Sequence, residues 1–421
     1  MKNLSRLLQG DRTIWIVFFT LCAISLVEVF SALSSLTYDT GSYIGPLLKH
    51  AAFLFVGFLV VVLVHNIPCR WFKILPPFGI LLSVSTLFML LMGWGVKMNG
   101  ASRWLDILGF SFQPSEIAKG TLVVTTALLL SAYQTEEGAD RQAMRYILGC
   151  SAVICGLIFP ENFSTAVLLF GVIFLMMFIG RVPLQQLGKL LGVIAIVGAV
   201  GFGFLMSVSH DNALWIGSHI PGCGRVPTWK NRLENKLGDH NQKVLSPEDF
   251  DIDKYAQVGH ANIAIASSNV RGKGPGNSVE RDFLPQPYSD FIYAIIIEEL
   301  GIAGAILVIF LYIVLLFRSG RIASRCEKCF PAFLVMGLAL LLTCQAVLNM
   351  MVAVGLFPVT GQPLPLISRG GSSTLINCAY IGMILSVSRY AKKKESQREG
   401  TRVGDEAPGV TNEYYSEKGM V

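Results

Sequence analysis

Residues 286–301 read QPYSDFIYAIIIEELG and combine an apolar helix with three acids. The run that starts at Phe291 is oily enough to begin a membrane helix, but Asp290 stands just before it, and Glu298 and Glu299 lie inside it. Charged groups are costly in lipid hydrocarbon, so acids at that depth must face protein or a polar cavity. The stretch therefore predicts a membrane helix with a polar, functional site at one end.

The whole chain is too apolar for an ordinary soluble protein. Of its 421 residues, 52% are hydrophobic and only 15% are charged, and the mean hydropathy is +0.55. An apolar run of about 17–25 residues can cross the hydrocarbon layer, which is about 30 Å thick. We therefore predict an all-α polytopic membrane protein with about ten transmembrane helices. The runs lie near 13–33, 47–65, 74–94, 116–132, 144–159, 163–180, 187–207, 290–317, 331–356 and 372–389.

The distribution of basic residues predicts the orientation of these helices. An even number of spans puts both termini on one side of the membrane. The N-terminus and the alternate short loops carry thirteen Lys and Arg residues, whereas the opposite short loops carry four. Because basic loops stay in the cytoplasm, both termini are expected to be cytoplasmic.

One large loop and one polar tail interrupt this pattern. The transmembrane domain is expected to span 1–390, with a large extracytoplasmic loop at 208–289, before helix eight. The loop has nine basic and nine acidic residues, so the net charge of +6 belongs to the cytoplasmic side. That surplus fits anionic membrane lipids and gives no reason to expect nucleic acid. Residues 391–421 are polar and charged and are expected to form a disordered cytoplasmic tail.

The loop before the fourth span contains RWLDILGFSFQPSEIAK and brings candidate binding residues to the extracytoplasmic side. Arg103 and Trp104 are expected at the interface, where an indole is also a common anchor. Gln113 opens the next helix, on which Glu116 and Lys119 share one face. A purely structural ion pair and a lysine that attracts phosphate both fit this spacing.

A second candidate region surrounds the opening acids. Glycines flank Lys273 in SSNVRGKGPGNS, which could form an anion-binding nest or a plain turn. Asp290 could cap the helix that follows or act as an ionised base at its N-terminus. Glu298 lies about 12 Å deeper along that helix and is a functional candidate by its depth.

A third region joins two polar residues of the ninth span to the loop that follows it. Gln345 and Asn349 lie four residues apart on one helix face, and such residues can simply tie helices together. The loop GLFPVTGQPLPLISRGGSS contains three prolines and one cation, and Ser368 and Arg369 are its candidate substrate contacts. Together the three regions predict a cavity that opens outward, where cations and amides hold the phosphates of a lipid-borne substrate and an acid accepts a proton from a hydroxyl.

Three long motifs, in this order within ten spans, closely resemble the SEDS family (shape, elongation, division and sporulation). They are NGASRWLDILGFSFQPSEIAK, LPQPYSDFIYAIIIEELGIAG and GQPLPLISRGGSS. The resemblance implies a peptidoglycan glycosyltransferase of the bacterial inner membrane that polymerises lipid II into glycan strands. It also implies a class B penicillin-binding protein as partner, beside other divisome or elongasome proteins. The family's essential acid corresponds to Asp290, although Ser289 replaces the usual threonine and Arg369 replaces a common tyrosine.

The combined interpretation gives each candidate a role. Asp290 takes the proton from the 4-hydroxyl of one lipid II as that oxygen attacks the anomeric carbon of another, and undecaprenyl pyrophosphate leaves. Arg103, Lys119, Lys273 and Arg369 are the candidates to neutralise the pyrophosphate, with or without Mg²⁺ or another divalent cation, and no organic cofactor is expected. Two alternatives remain: a flippase that moves lipid II across the membrane, and a non-enzymatic scaffold. The chain length and the LPLIS wording favour the division branch of the family.

Overall fold

The computed structural model describes residues 8–32, 44–98, 101–107, 110–219, 224–230, 256–284 and 288–405, and helices dominate these ranges. The helices are α1 (Arg12–Ala32), α2 (Ile44–Asn66), α3 (Leu75–Leu91), α4 (Pro114–Ala132), α5 (Arg141–Ile158), α6 (Phe163–Ile179), α7 (Leu184–Ser207), α8 (His210–His219), α9 (Ala256–Ala266), α10 (Ile292–Ser324), α11 (Cys329–Ala353) and α12 (Gly371–Asp405). A 3₁₀ helix, Cys69–Ile74, precedes α3, and another covers Glu280–Asp282.

The helices confirm an all-α polytopic membrane protein. Within the described ranges, eight helical segments are long and apolar enough to cross a membrane: α1, α2, α3 together with the 3₁₀ helix before it (Cys69–Leu91), α4, α7, α10, α11 and the first part of α12. The other two predicted spans are helical but do not meet both conditions. α6 has only 17 residues, and the first two turns of α5 contain Arg141 and Arg145, which lower its hydropathy.

A small antiparallel sheet fills the connection between α3 and α4, where only a loop was expected. β1 (Val96–Met98) pairs with β2 (Ala101–Ile107), which pairs with β3 (Phe110–Phe112). Side chains alternate between the two faces of a strand, so neighbouring residues of β2 point in opposite directions. The sheet thereby fixes which residues of this connection can face the bundle.

α11 lies at the centre of the bundle and packs against α4, α6, α10 and α12. Its side chains Leu334, Val335, Leu338 and Leu341 are fully buried. α7 lies at the periphery instead, since Leu187 is its one buried residue. Large apolar side chains left exposed on peripheral helices are those that would face lipid.

α10 is broken in the middle. Gly301 has φ +69°, which interrupts the helix nine residues after its start. A break leaves main-chain carbonyls without helical donors. The amides of Lys273 and Gly274 fill this need, donating to the carbonyls of Glu298 at 2.9 Å and Glu299 at 2.8 Å. The large loop is therefore joined to α10 at the position of the break.

The last helix extends further than the predicted tail allows. α12 continues past Ala391 and ends at Asp405, because the residues after the membrane span are mainly Lys, Glu, Gln and Arg, which favour helix. Residues 406–421 lie outside the described residues, so disorder in that part of the tail stays a prediction.

Candidate active site

A buried loop between α11 and α12 organises the site. We call residues 361–369 the proline loop; its two prolines, Pro363 and Pro365, prevent a regular helix. Buried irregular backbone must find its hydrogen bonds within the protein. Four carbonyls of the loop accept hydrogen bonds from side chains of three helices. The pairs, donor first, are Asn349 Nδ2 with Gln362 at 2.7 Å, Gln345 Nε2 with Pro363 at 3.1 Å, the Tyr312 hydroxyl with Pro365, and Ser25 Oγ with Ile367 at 2.7 Å.

The proline loop and α11 in turn fix the backbone just before α10. Three consecutive carbonyls accept hydrogen bonds from these elements: Tyr288 from the amide of Arg369 at 2.9 Å, Ser289 from Ser368 Oγ at 2.6 Å, and Asp290 from Asn349 Nδ2 at 2.9 Å. Ser368 Oγ also accepts from the amide of Leu364 at 2.8 Å. The main chain that carries Asp290 is therefore held at three adjacent positions.

The side chain of Asp290 is partly exposed and does not cap α10. Phe291 occupies the N-cap position, and no side chain caps this helix end. Ser289 Oγ donates to Asp290 Oδ1 at 2.9 Å, and the burial of Asp290 is intermediate. The carboxylate is thus oriented by its neighbour while part of it remains accessible. This position fits a reactive group better than a helix cap.

Arg103 approaches Asp290 across Gly361. A Cβ atom on residue 361 would lie 2.8 Å from Arg103 Nη1 and 3.5 Å from Asp290 Oδ2, and Gly361 has φ +69°. The guanidinium also contacts the backbone of the α5–α6 connection, since Arg103 Nε donates to the carbonyl of Glu161 at 3.3 Å. Only glycine fits between these groups, so the carboxylate and the guanidinium share one small region. Sequence reasoning singled out neither Gly361 nor the carbonyl of Glu161.

Lys119 is placed differently from the phosphate-binding role expected for it. Its side chain is fully buried, and Nζ donates to Glu116 Oε1 at 2.8 Å and to Gln345 Oε1 at 2.7 Å. Tyr380 donates to the carbonyl of Glu116 at 2.6 Å. Because Gln345 also supports Pro363, this network lies behind the proline loop. Lys119 and Glu116 therefore reinforce the loop, and their contact with a substrate stays a prediction.

Glu298 and Lys273 also lie away from the Asp290 carboxylate. Glu298 is fully buried and accepts from Lys273 Nζ at 2.6 Å, from the amide of Val279 at 3.1 Å and from Ser278 Oγ. Glu299, equally buried, accepts from the amides of Gly276 at 2.9 Å and Ser278 at 3.2 Å. We call residues 270–281 the clasp loop. In this structure both Glu298 and Lys273 bind the clasp loop to α10, and contact of either side chain with substrate stays a prediction.

The remaining predicted site residues are Arg369, Trp104 and Gln113, and each has different surroundings. Arg369 contacts the site through its backbone, and its guanidinium lies 5.1 Å from the centre of the Tyr288 ring. Trp104 is half-buried on β2 and projects to the face opposite Arg103. Gln113 is buried at the N-cap of α4 and makes no capping bond with its side chain. Residues 285–287, which belong to the second motif, lie outside the described residues.

Sequence reasoning missed Ser25 and Tyr312, which lie in α1 and α10 and bind the proline loop. Gln362 was also missed; its side chain donates to Thr165 Oγ1 on α6. The available signal was the pair of prolines, because a nonhelical segment beside the membrane needs donors from neighbouring helices.

The described residues contain no group of three or more His, Cys, Asp or Glu side chains that could hold a metal ion. Asp290 has a guanidinium in its neighbourhood, which disfavours a cation there. Among the described residues, the side chains around Asp290 therefore do not form a protein cage for Mg²⁺.

Comparison with known proteins places this architecture in one family. The family model for FtsW, RodA and SpoVE, described as "Cell cycle protein", matches residues 11–393. The probable peptidoglycan glycosyltransferase FtsW of Halomonas elongata is 31% identical over 367 residues, which cover 85% of each chain. Stage V sporulation protein E of Bacillus subtilis is 28% identical over 392 residues, which cover 91% of this chain and 98% of its own.

Two solved structures share the fold. A chain from a study of the "structural coordination of polymerization and crosslinking by a peptidoglycan synthase complex" has a TM-score of 0.68 at 23% identity; the match covers 91% of this chain and 99% of that one. The Thermus thermophilus rod shape determining protein RodA has a TM-score of 0.61 at 21% identity and covers 91% and 97%. With the family model spanning nearly all of the membrane domain, the chain belongs to the FtsW/RodA/SpoVE family of cell cycle proteins, the SEDS family that its three motifs predicted.

Proposed function

We propose that the protein is a peptidoglycan glycosyltransferase that polymerises lipid II, with Asp290 as general base. The names of its FtsW relatives support this activity. The observation that carries the assignment to Asp290 is its placement. Its main chain is held by the proline loop and Asn349, and its partly exposed carboxylate shares the space around Gly361 with Arg103. A base needs a fixed position and access to the hydroxyl, and Asp290 has both.

The reaction follows from these two groups. Asp290 accepts the proton of the acceptor's 4-hydroxyl while that oxygen forms a bond with the anomeric carbon of the donor sugar. The bond between that carbon and the pyrophosphate oxygen breaks, and undecaprenyl pyrophosphate leaves with the electron pair. Arg103 stabilises the charge that develops on the leaving group. Arg369, whose guanidinium lies over Tyr288, is the second cation we assign to the pyrophosphate.

We assign any participating Mg²⁺ to the substrate. Mg²⁺ is commonly held by one or two carboxylates together with substrate phosphates, so the pyrophosphate can supply most of its ligands. EDTA should then raise the KM for lipid II and leave the melting temperature of the protein unchanged. A fall in the melting temperature on chelation would instead indicate a resident metal site.

The setting of the reaction completes the proposal. We place Asp290 and the large loop on the extracytoplasmic side and both termini in the cytoplasm, as the basic loops predict. A class B penicillin-binding protein is the proposed partner, because a glycan polymer needs cross-linking. The peptidoglycan synthase complex among the structural neighbours supports such an assembly. Other divisome or elongasome proteins are further proposed partners.

One pair of assays separates this function from its two alternatives. Wild-type and Asp290→Asn proteins are purified, combined with the partner transpeptidase and given lipid II in detergent, and glycan chains are counted. The same proteins are reconstituted in vesicles and tested for lipid II flipping. We expect chains from wild type and none from the variant. Chains from neither protein, with flipping by wild type, would indicate a flippase, and inactivity in both assays would favour a scaffold.

A further inference from the structure

Two polar side chains, one on each of the first two helices, lie behind the proline loop and have no part in the reaction described above. Ser25 on α1 is fully buried, and His50 on α2 is 3% exposed. His50 Nε2 lies 2.9 Å from Ser25 Oγ, and Ser25 Oγ lies 2.7 Å from the carbonyl oxygen of Ile367. A buried histidine and serine in an apolar bundle need a reason to be polar, since leucine and alanine would pack there without any desolvation cost.

The direction of these hydrogen bonds follows from the number of hydrogens. The Ser25 hydroxyl has one hydrogen, and the Ile367 carbonyl can only accept, so this hydrogen points to Ile367. Ser25 Oγ must then accept from His50, which fixes a hydrogen on Nε2 of the imidazole. His50 thereby orients the serine and polarises its hydroxyl toward the loop.

Ile367 lies at the point of the proline loop where this support matters most. Its neighbour Leu366 has φ +65°, a left-handed conformation that is unfavourable for a side chain of this size. Its other neighbour, Ser368, donates to the carbonyl of Ser289, next to Asp290. A strained residue persists only where its surroundings hold it. The hydrogen bond from Ser25 to Ile367 therefore supports both neighbours of Ile367. One is the strained Leu366, and the other is Ser368, which binds the backbone next to Asp290.

We propose that His50 and Ser25 are positioning residues for the glycosyl transfer, acting through the Ile367 carbonyl and Ser368 on the backbone of Asp290. The inference rests on the proposed role of Asp290 as base. Neither residue contacts substrate in this scheme. Loss of the His50 to Ser25 bond lets the loop relax at Leu366 and displaces the base, so the rate of the chemical step falls while lipid II binding is kept.

The test uses five variants of the full chain in complex with the partner transpeptidase. His50→Leu and Ser25→Ala each remove one partner of the hydrogen bond between His50 and Ser25. His50→Gln keeps a hydrogen-bond donor at residue 50. The double variant, Ser25→Ala with His50→Leu, tests whether the two residues act together. His65→Leu is the matched control, because His65 is a fully buried histidine of the same helix that lies against Trp15, with ring centres 6.0 Å apart. The readouts are kcat and KM for lipid II, together with hydrogen exchange of a peptide covering 364–370.

We expect His50→Leu and Ser25→Ala each to lower kcat about tenfold, the worth of one buried hydrogen bond, with KM within twofold of wild type. The double variant should be no slower than the slower single one. His50→Gln should recover most of the rate, and His65→Leu should keep it. Exchange at 364–370 should rise in the first two variants only. Ser25→Ala loses a single oxygen and serves as the deciding variant if His50→Leu does not fold.

Normal kcat and unchanged exchange in Ser25→Ala would overturn the inference, and so would a rate loss of the same size in His65→Leu. Asp290→Asn is assayed alongside to distinguish a failure of the positioning role from a failure of the proposed base. If Asp290→Asn is inactive while Ser25→Ala is normal, only the positioning role fails. If Asp290→Asn keeps its activity, the proposed base fails, and the positioning role fails with it.

Discussion

Asp290 and Glu298 lie eight residues apart, but their surroundings give them different properties. Asp290 is partly exposed, and its carbonyl and its neighbours' carbonyls are held by the proline loop and Asn349. Glu298 is fully buried, and a lysine, a serine and an amide satisfy its oxygens. The first acid can exchange protons with a ligand. The second is a structural carboxylate that compensates for its burial with hydrogen bonds.

The sequence singles out Asp290 as the proposed base, but it could not predict the contacts of the other charged residues. Asp290 and its polar neighbours stand together in one stretch of sequence at the start of a helix, so the sequence alone reveals them. Gln345, one of the two partners of Lys119, is 226 residues away, so spacing alone left both a phosphate contact and a structural pair open. The structure places Lys119 in a buried pair with Glu116, and that burial depends on how α4 and α11 pack.

Asn349→Leu should impair both stability and catalysis. The variant removes the donor to two carbonyls, those of Asp290 and Gln362, and each unsatisfied buried group costs about 1–3 kcal/mol. We expect a lower melting temperature and a kcat that falls more than KM rises. Met350→Leu, the next buried position of the same helix, is the control, because it conserves volume and apolar character. Equal behaviour of the two variants would contradict the role of the Asn349 amide.

At the scale of elements, the clasp loop and the broken helix α10 depend on each other. Gly272 and Gly301 both have positive φ, and their backbones pass so closely that no Cβ fits on either. The clasp amides then bind the carbonyls that the break at Gly301 leaves open. The glycines of SSNVRGKGPGNS indicated a turn or an anion nest, but their closeness to Gly301 is tertiary and does not show in the sequence. The same limit applies to the β1–β2–β3 sheet.

Gly272→Ala should be far more damaging than Gly276→Ala. Both residues have positive φ, at +71° and +83°, so both substitutions incur backbone strain of about 1–2 kcal/mol. Only at Gly272 would the new Cβ meet backbone, 2.2 Å from the Glu299 carbonyl oxygen, whereas nothing lies within 4 Å at Gly276. Thermal melting of the two purified variants checks this difference. Equal melting temperatures would show that the backbone of the clasp loop at Gly272 does not pack closely against α10.

At the scale of the whole molecule, periodicity and composition predicted the order of the membrane helices; among the described residues, eight of the ten predicted spans are long and apolar enough to cross a membrane. Hydropathy detects each span because every membrane helix must be apolar over a length that crosses the hydrocarbon layer. The position of α7 at the edge and the central place of α11 were not predictable, since both are apolar throughout and differ only in what they pack against. α12 extends past Ala391 to Asp405, in residues that favour helix.

Asp11 links the start of α1 to Arg318 near the end of α10, and this link should make stability depend on pH. Burial raises the pKa of Asp11, but the hydrogen bond and charge of Arg318 and the amides of Ile14 and Thr13 outweigh it, so the pKa falls below its ordinary value of 3.8. A carboxyl with a lowered pKa stabilises the fold above its unfolded value and loses that effect as the pH falls through the folded one. Asp11→Asn should therefore lower the melting temperature at pH 7 and match wild type near the acid limit. A difference that stays constant with pH would contradict the ion pair.

The most direct test of the account compares two aspartates of the same region. Asp290→Asn and Asp282→Asn each replace one carboxylate by its amide, and the Asp282 side chain is 45% exposed and lies beside Arg281. Single-turnover polymerisation of lipid II by each purified variant, with the partner transpeptidase and equal lipid II binding confirmed, gives the rate of the chemical step. We predict a loss of about 10²- to 10⁴-fold for Asp290→Asn, as expected for a general base, and a rate within twofold of wild type for Asp282→Asn. Polymerisation by Asp290→Asn at a rate close to that of Asp282→Asn would contradict the assignment of the base.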